Sequence, residues 1–160
     1  MQPEKLEIRA ALRVARPVKE VFEAIVDPVK MSRYFIEHGS GRLEAGKTVT
    51  WKFPEFDMLF DVKCDRADPP QFISFSWDGA SDGQLTRVDI ELSGADGNTT
   101  LVVVTEKEKM NDEAGIRWLK SNTEGWANFL ACLKAYLEYG INLRENSFDS
   151  SQLPTKDITV

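Results

Sequence analysis

No apolar run in this 160-residue chain exceeds a few positions, so no segment is long enough to cross a bilayer as a helix. Histidine occurs once and cysteine twice. Basic residues are the minority, 20 against 26 acidic ones, for a formal charge of −6. That balance disfavours non-specific binding to a phosphate backbone, which needs clustered Lys and Arg. The first residues, Met1-Gln2-Pro3-Glu4-Lys5, lack the charged and apolar regions of a signal peptide, and the expectation is a cytoplasmic protein. Cys64 falls in a strand-like run and Cys132 on an apolar helical segment, so both read as small buried hydrophobes rather than metal ligands. His38 adjoins Gly39-Ser40-Gly41, a surface-loop setting with no partner ligands for zinc. A nucleophile elbow, a phosphate-binding glycine loop and a metal-spaced cluster are all missing. The expectation is therefore no catalytic residue, no metal and no cofactor.

What is present suits one hydrophobic core: 42% hydrophobic, 29% charged and 10% aromatic residues. Leu6, Ile8, Ala10, Leu12 and Val14 alternate with mostly polar residues, the period of a half-buried strand. Pro17 opens a short helix with an apolar face of Val18, Val21, Phe22 and Ile25, and Asp27-Pro28 ends it. Met31, Tyr34 and Phe35 predict a second helical turn, and Arg42-Leu43 a short strand inside the loop from Gly39 to Gly46. From Lys47 to Thr105 alternation predicts successive strands. Their turns are Pro54-Glu55, Asp68-Pro69-Pro70, the loop Asp78–Gly83, and Asp96-Gly97-Asn98. Between Asp112 and Tyr139 the period changes to that of a long helix. Its stripe runs through Ile116, Leu119, Trp126, Leu130, Leu133 and Leu137, widened by Trp118, Phe129 and Tyr136, with Lys120, Glu124, Lys134 and Glu138 on the wet side. Asn111 or Asp112 fits the N-cap and Gly140 the stop. Gly125, inside the helix, suggests a close approach by a strand or a ligand. Residues 1–144 read as one domain and 145–160 as a polar tail.

Three motifs occur in order. Ala15-Arg16-Pro17-Val18-Lys19-Glu20-Val21-Phe22-Glu23-Ala24-Ile25-Val26-Asp27-Pro28 resembles the opening of the SRPBCC superfamily, the helix-grip fold of START domains and birch-pollen-type allergens. Asp68-Pro69-Pro70 through Trp77 is similar to that group's "PP-x-x-L-x-[FY]-x-W" strand. Glu124-Gly125-Trp126 with Leu130 and Leu133 resembles the core of its last helix. The branch most resembled is that of activator of heat-shock protein 90 ATPase homologues, over about residues 4 to 142. The resemblance implies an α+β helix-grip fold. A curved antiparallel sheet of about six or seven strands would wrap around the long C-terminal helix, with two short helices after the first strand. It also implies a cavity between sheet and helix that holds a hydrophobic small molecule, as in a carrier, sensor or stress-related accessory protein. The alternatives are a co-chaperone-type module that regulates a chaperone ATPase, and a cyclase- or hydrolase-like enzyme using the same cavity.

The strand face expected to line that cavity comprises Trp51, Phe53, Met58, Phe60, Phe75, Trp77, Val88 and Ile90. The helix would contribute Leu119, Trp126, Phe129, Leu130 and Leu133, and Tyr34, Phe35 and His38 would form the mouth. The competing reading is that these residues simply fill the core. Buried indoles would need acceptors from a ligand or water. Asp57, Asp61, Asp65, Asp89 and Glu91 should face solvent, while Arg87, Glu106 and Glu108 are candidates for a rim that orients a polar head. Edge strands leave a homodimer open, and the branch resembled leaves a chaperone partner open. Trp126→Ala is expected to weaken ligand uptake more than Trp118→Ala; equal losses in a binding titration would count against a pocket floor at Trp126.

Overall fold

The computed structural model describes residues 4–148. In chain order the elements are β1 (Lys5–Val14), α1 (Val18–Val26), α2 (Pro28–Met31), β2 (His38–Gly39), β3 (Thr48–Lys52), β4 (Leu59–Asp68), β5 (Phe72–Trp77), β6 (Thr86–Gly94), β7 (Thr100–Met110) and α3 (Glu113–Tyr139). The strands form one curved, fully antiparallel sheet in the order β1-β7-β6-β5-β4-β3-β2. Only the β1–β7 pairing departs from a meander. The first strand returns beside the last, so α1 and α2 must cross from one end of the sheet to the other. The helix-grip architecture is thus the one observed.

Helix α3 has 27 residues, about 40 Å at 1.5 Å per residue, enough to run the length of the sheet. Asp112 caps it by accepting the Gly115 N–H at 2.8 Å, and Gly140 ends it in the left-handed region at φ 67°. Gly115 is required for packing: a Cβ there would lie 1.9 Å from the Met110 carbonyl oxygen. This close approach lets the chain turn directly from β7 into α3. Gly125 is also buried, on the same helix.

Three local expectations shift. The short strand lies at His38–Gly39, paired with Lys52 and Trp51, not at Arg42-Leu43. The Leu43 N–H instead bonds the Val26 carbonyl at 3.1 Å, so that segment closes the end of α1. Helix α2 stops at Met31, and the N–H groups of Tyr34, Phe35 and Ile36 all converge on the Met31 carbonyl. The buried stripe of α3 is also rotated from the expected one. It is centred on Trp118, Asn122, Trp126, Phe129 and Leu133, while Ile116, Leu119 and Leu137 are half-buried. Residues 145–148, assigned to the tail, turn around buried Arg144; the remainder of that tail lies outside the described residues.

Lys134 and Glu138 leave the wet face and clasp β1. Glu138 accepts the Ala15 N–H at 2.7 Å and pairs with Lys134, whose amine also reaches the Arg13 carbonyl at 3.2 Å. The Ala15 N–H and Lys134 together hold the Glu138 carboxyl below its usual range, against the opposing effect of burial. A depressed folded-state pKa stabilises the fold above the unfolded value and ceases to do so as the pH falls through the folded one. Glu138→Gln should therefore be less stable than wild type at pH 7. In urea titrations the gap should close as the pH falls below the ordinary glutamate range and through the lowered folded-state value; a gap independent of pH would show that the clasp does not use the charge.

Candidate functional site

The alternation of the strands places Trp51, Phe60, Phe75, Trp77, Val88 and Ile90 on the face toward α3, all buried, with Phe53 just beyond β3. Trp126, Phe129, Leu130 and Leu133 meet them from the helix. Trp51 and Trp77 ring centroids lie 6.0 Å apart and Trp77 and Trp126 5.8 Å apart. Phe75 wedges against Trp51 at 5.3 Å, and Phe35 against Phe129 at 4.7 Å. Edge-to-face pairs of this kind add about 0.5–1.5 kcal/mol each to the burial itself. Two expected members stand apart. Met58 precedes β4, in a connection whose Phe56 N–H turns back to the Phe53 carbonyl, and it is 44% exposed. Leu119 is only half-buried, because the rotated helix presents Trp118 in its place. Trp118 is thus a core residue and not a neutral control for Trp126.

At the centre of the rings sits Glu106, fully buried. One carboxylate oxygen accepts the Trp126 indole N–H at 2.8 Å and the Asn122 amide at 3.0 Å. The other accepts the Trp77 indole N–H at 3.0 Å and the Thr86 hydroxyl at 2.5 Å. Asn122 and Trp126, four apart on α3, present both donors on one side of the helix. Four donors fill the acceptor positions of the two oxygens, so Glu106 ties sheet to helix and has no lone pair left for a substrate proton. The protein itself supplies the acceptors for these two indoles. The expected rim of Arg87, Glu106 and Glu108 does not exist. Glu106 has the parity of Val102 and Val104 and faces inward, Glu108 pairs with Lys5, and Arg87 pairs with Asp89. The β1–β7 register shifts between Leu6 and Glu7, after which Lys109, not Glu108, turns inward to meet Asp82 and the Trp118 ring.

A pocket of about 730 Å³ opens beside the C-terminal end of α3, with Tyr34, Phe35, Ile36, Glu55, Arg144 and Phe148 in its wall. Tyr34 and Phe35 belong to the expected mouth, and both are buried; His38 is exposed on β2 and is not part of this wall. The Tyr34 hydroxyl donates to the Ala24 carbonyl at 2.9 Å, and burial, with Tyr136 and Cys132 adding to it, pushes its pKa well up. Arg144 and Glu55 form a two-point ion pair at 2.6 and 3.3 Å, with side chains only 4% and 5% exposed. The Arg144 guanidinium lies 5.6, 5.4 and 5.0 Å from the rings of Phe35, Phe53 and Phe148. Its Nη1 is buried without a hydrogen-bond partner. Pattern reasoning missed this pair, since Arg144 lies beyond the helix and Glu55 in a turn. Among the described residues no cluster of His, Cys, Asp and Glu could hold a metal, and no helix is long and apolar enough to span a membrane.

The sequence profile described as "Activator of Hsp90 ATPase homolog 1-like protein" matches residues 15–138. The chain belongs to this family. It is 32% identical to protein SSP2350 from Staphylococcus saprophyticus, over 87% of this chain and 96% of that one, with a TM-score of 0.75. DynU16, a putative protein in the dynemicin biosynthetic locus, is 26% identical with a TM-score of 0.75; the match covers 85% of this chain and 48% of DynU16, about half its length. The Aha1 dimer from Colwellia psychrerythraea is 19% identical over 84% of this chain and 98% of that one, with a TM-score of 0.71, a likeness of fold alone. No curated protein gives a significant match.

Within the activator of Hsp90 ATPase homologue 1-like family, the matched span contains Glu106 and the whole aromatic cluster but stops before Arg144. The pocket is divided by that limit: its wall from Ser32 to Glu55 lies inside the matched span, and Arg144 with the residues around it lies outside. Each buried donor left unmet costs about 1–3 kcal/mol. Glu106→Leu, which strands four, should lower stability by at least about 3 kcal/mol in urea denaturation. Glu106→Gln should cost less but displace the Trp77 and Trp126 indole N–H signals in NMR spectra. Unmoved indole signals in Glu106→Gln would mean that the clamp is not formed.

Proposed function

We propose that this protein binds a small hydrophobic molecule at the junction of sheet and C-terminal helix, as a carrier or sensor. The observation that carries the reading is the pocket of about 730 Å³, a volume suited to a small-molecule site, whose wall includes Tyr34, Phe35, Ile36 and Phe148 among polar residues. Phe35 is continuous with the aromatic cluster: its ring lies 5.7 Å from Trp51 and 6.2 Å from Trp126. Phe35 lies buried in the wall of that pocket. Displacing that ring opens a route toward Trp51, Trp77 and Trp126. Glu106, saturated by its four donors, argues for binding over acid–base catalysis at that depth.

A second reading, a co-chaperone-type interaction, draws on the family's description and on Tyr139, Ile141 and Leu143, which follow the buried part of α3 and are 68%, 52% and 47% exposed. Native mass spectrometry followed by a thermal-shift screen of lipids, sterols and aromatic metabolites separates the two. A ligand at a hundredfold its Kd contributes about 2.7 kcal/mol, which should raise Tm by several degrees. Its addition should move the Trp126 indole signal more than that of Trp118. A clean apo mass, a flat screen and a raised ATPase rate of purified Hsp90 would favour the second reading instead.

A further inference from the structure

The face of the sheet turned away from α3 carries a pattern that the core does not explain. Its middle strand there, β7, presents Leu101, Val103 and Thr105, all half-buried. On one side the register sets Arg13, Ala11 and Arg9 of β1 beside them, all exposed. On the other side it sets Glu91 beside Val103 and Asp89 beside Thr105. A low, largely apolar ridge thus runs between a basic flank and an acidic one. Asp89 already pairs with Arg87 at 3.0 Å. Among the described residues Arg9, Arg13 and Glu91 are in no ion pair.

Such a face complements itself in one orientation. Two copies packed face to face about a two-fold axis along β7 exchange their flanks and keep each row of the register. Arg9 of one copy then lies over Asp89 of the other. Glu91 lies over Ala11, whose small side chain leaves it room. Arg9 and Arg13 stand about 7 Å to either side of that point along the strand, within reach of an arginine side chain. The next row agrees, because Glu7 and Arg87 flank Lys107 and each would meet its opposite. Lys107 would face its own copy, with a Glu7 from each chain beside it. An axis across the strands instead sets Asp89 against Glu91 or against its own copy. The sheet edges are less open to a partner. Glu138 and Lys134 hold the Ala15 N–H and the Arg13 carbonyl at one edge, and β2 at the other is two residues long.

We propose that this outer face joins two copies of the chain in a symmetric dimer, through the Leu101–Val103 ridge and reciprocal contacts of Arg9 and Arg13 with Glu91. The proposal does not depend on the ligand-binding reading. Because the sheet curves around α3, its outer face is convex and two copies touch along the ridge. Long arginine and glutamate side chains span the gap that widens on either side. Three strands over four rows cover about 15 by 25 Å, less than the roughly 800 Å² that each partner gives to a standard interface. The dimer is therefore weak, and its ionic part is sensitive to salt.

Sedimentation velocity on the full chain tests it. In about 50 mM salt the wild type should be dimeric by about 100 μM protein, and about 500 mM salt should weaken the dimer roughly tenfold. Arg9→Gln/Arg13→Glu leaves Glu91 facing a carboxylate, and Glu91→Arg faces two arginines, so each variant alone should be monomeric there. The substituted sites are exposed, so both variants should keep the wild-type Tm. An equimolar mixture of the two should restore a dimer, because the mixed pair keeps one native half and reverses the charges of the other. On the wild type, raising the protein concentration should shift the methyl signals of Leu101 and Val103 in NMR spectra. Those of exposed Ile141 and Leu143 should stay in place. A monomer at about 100 μM, a dimer indifferent to salt or kept by either variant, or a mixture that stays monomeric would each overturn the proposal. If a variant fails to fold, the methyl shifts decide, and shifts confined to other surfaces would overturn it.

Discussion

Glu106 is the point at which sheet and helix are held to one geometry. A curved antiparallel sheet and an amphipathic helix attract each other through apolar surface, which is non-directional and tolerates sliding and rotation. Four hydrogen bonds from Trp77, Thr86, Asn122 and Trp126 to one carboxylate do not tolerate them. They fix the rotation of α3, so that Trp118 and Asn122 lie inward and Leu119 moves to the side. They also hold the two indoles in place. A buried polar cluster with every member satisfied specifies one arrangement where an all-apolar contact would allow several.

The second buried charge behaves differently. Arg144 closes the other end of the grip through Glu55, but one of its nitrogens remains unmet, and its aromatic cover comes partly from half-buried Phe148. The Glu106 cluster is saturated, whereas buried donors on Trp118 and Arg144 are not. Glu106 and its four donors lie within the span matched by the activator of Hsp90 ATPase homologue 1-like family, residues 15–138. The pocket cation lies outside that span, so the fold alone does not say what it recognises. The chemistry around Arg144 has to be read on its own terms.

Much of the strand face was legible because a period of two is a local property. Trp51, Phe75, Trp77, Val88 and Ile90 all face inward as alternation requires. Met58 was misplaced because the connection runs past the expected turn at Pro54-Glu55 and β4 begins only at Leu59. Glu106 was assigned to a rim, although it continues the parity of Val102 and Val104. Its charge argued for solvent, and a buried carboxylate becomes acceptable only when donors from distant elements converge on it. Those donors come from β5, β6 and α3. Their convergence has no signature in a local window.

The sequence by itself determined the order of elements, the antiparallel sheet with its inward aromatic face, the long capped helix and the family, since periodicity, caps and motifs act over a few residues at a time. Tertiary structure alone decided the rotation of α3, the inward turn of Lys109 after the β1–β7 register shift, and the meeting of Glu55 with Arg144, 89 positions apart. Each of these depends on which distant groups satisfy a buried charge. Hydrogen bonding and ion pairing are settled by proximity in space, and proximity is what folding creates.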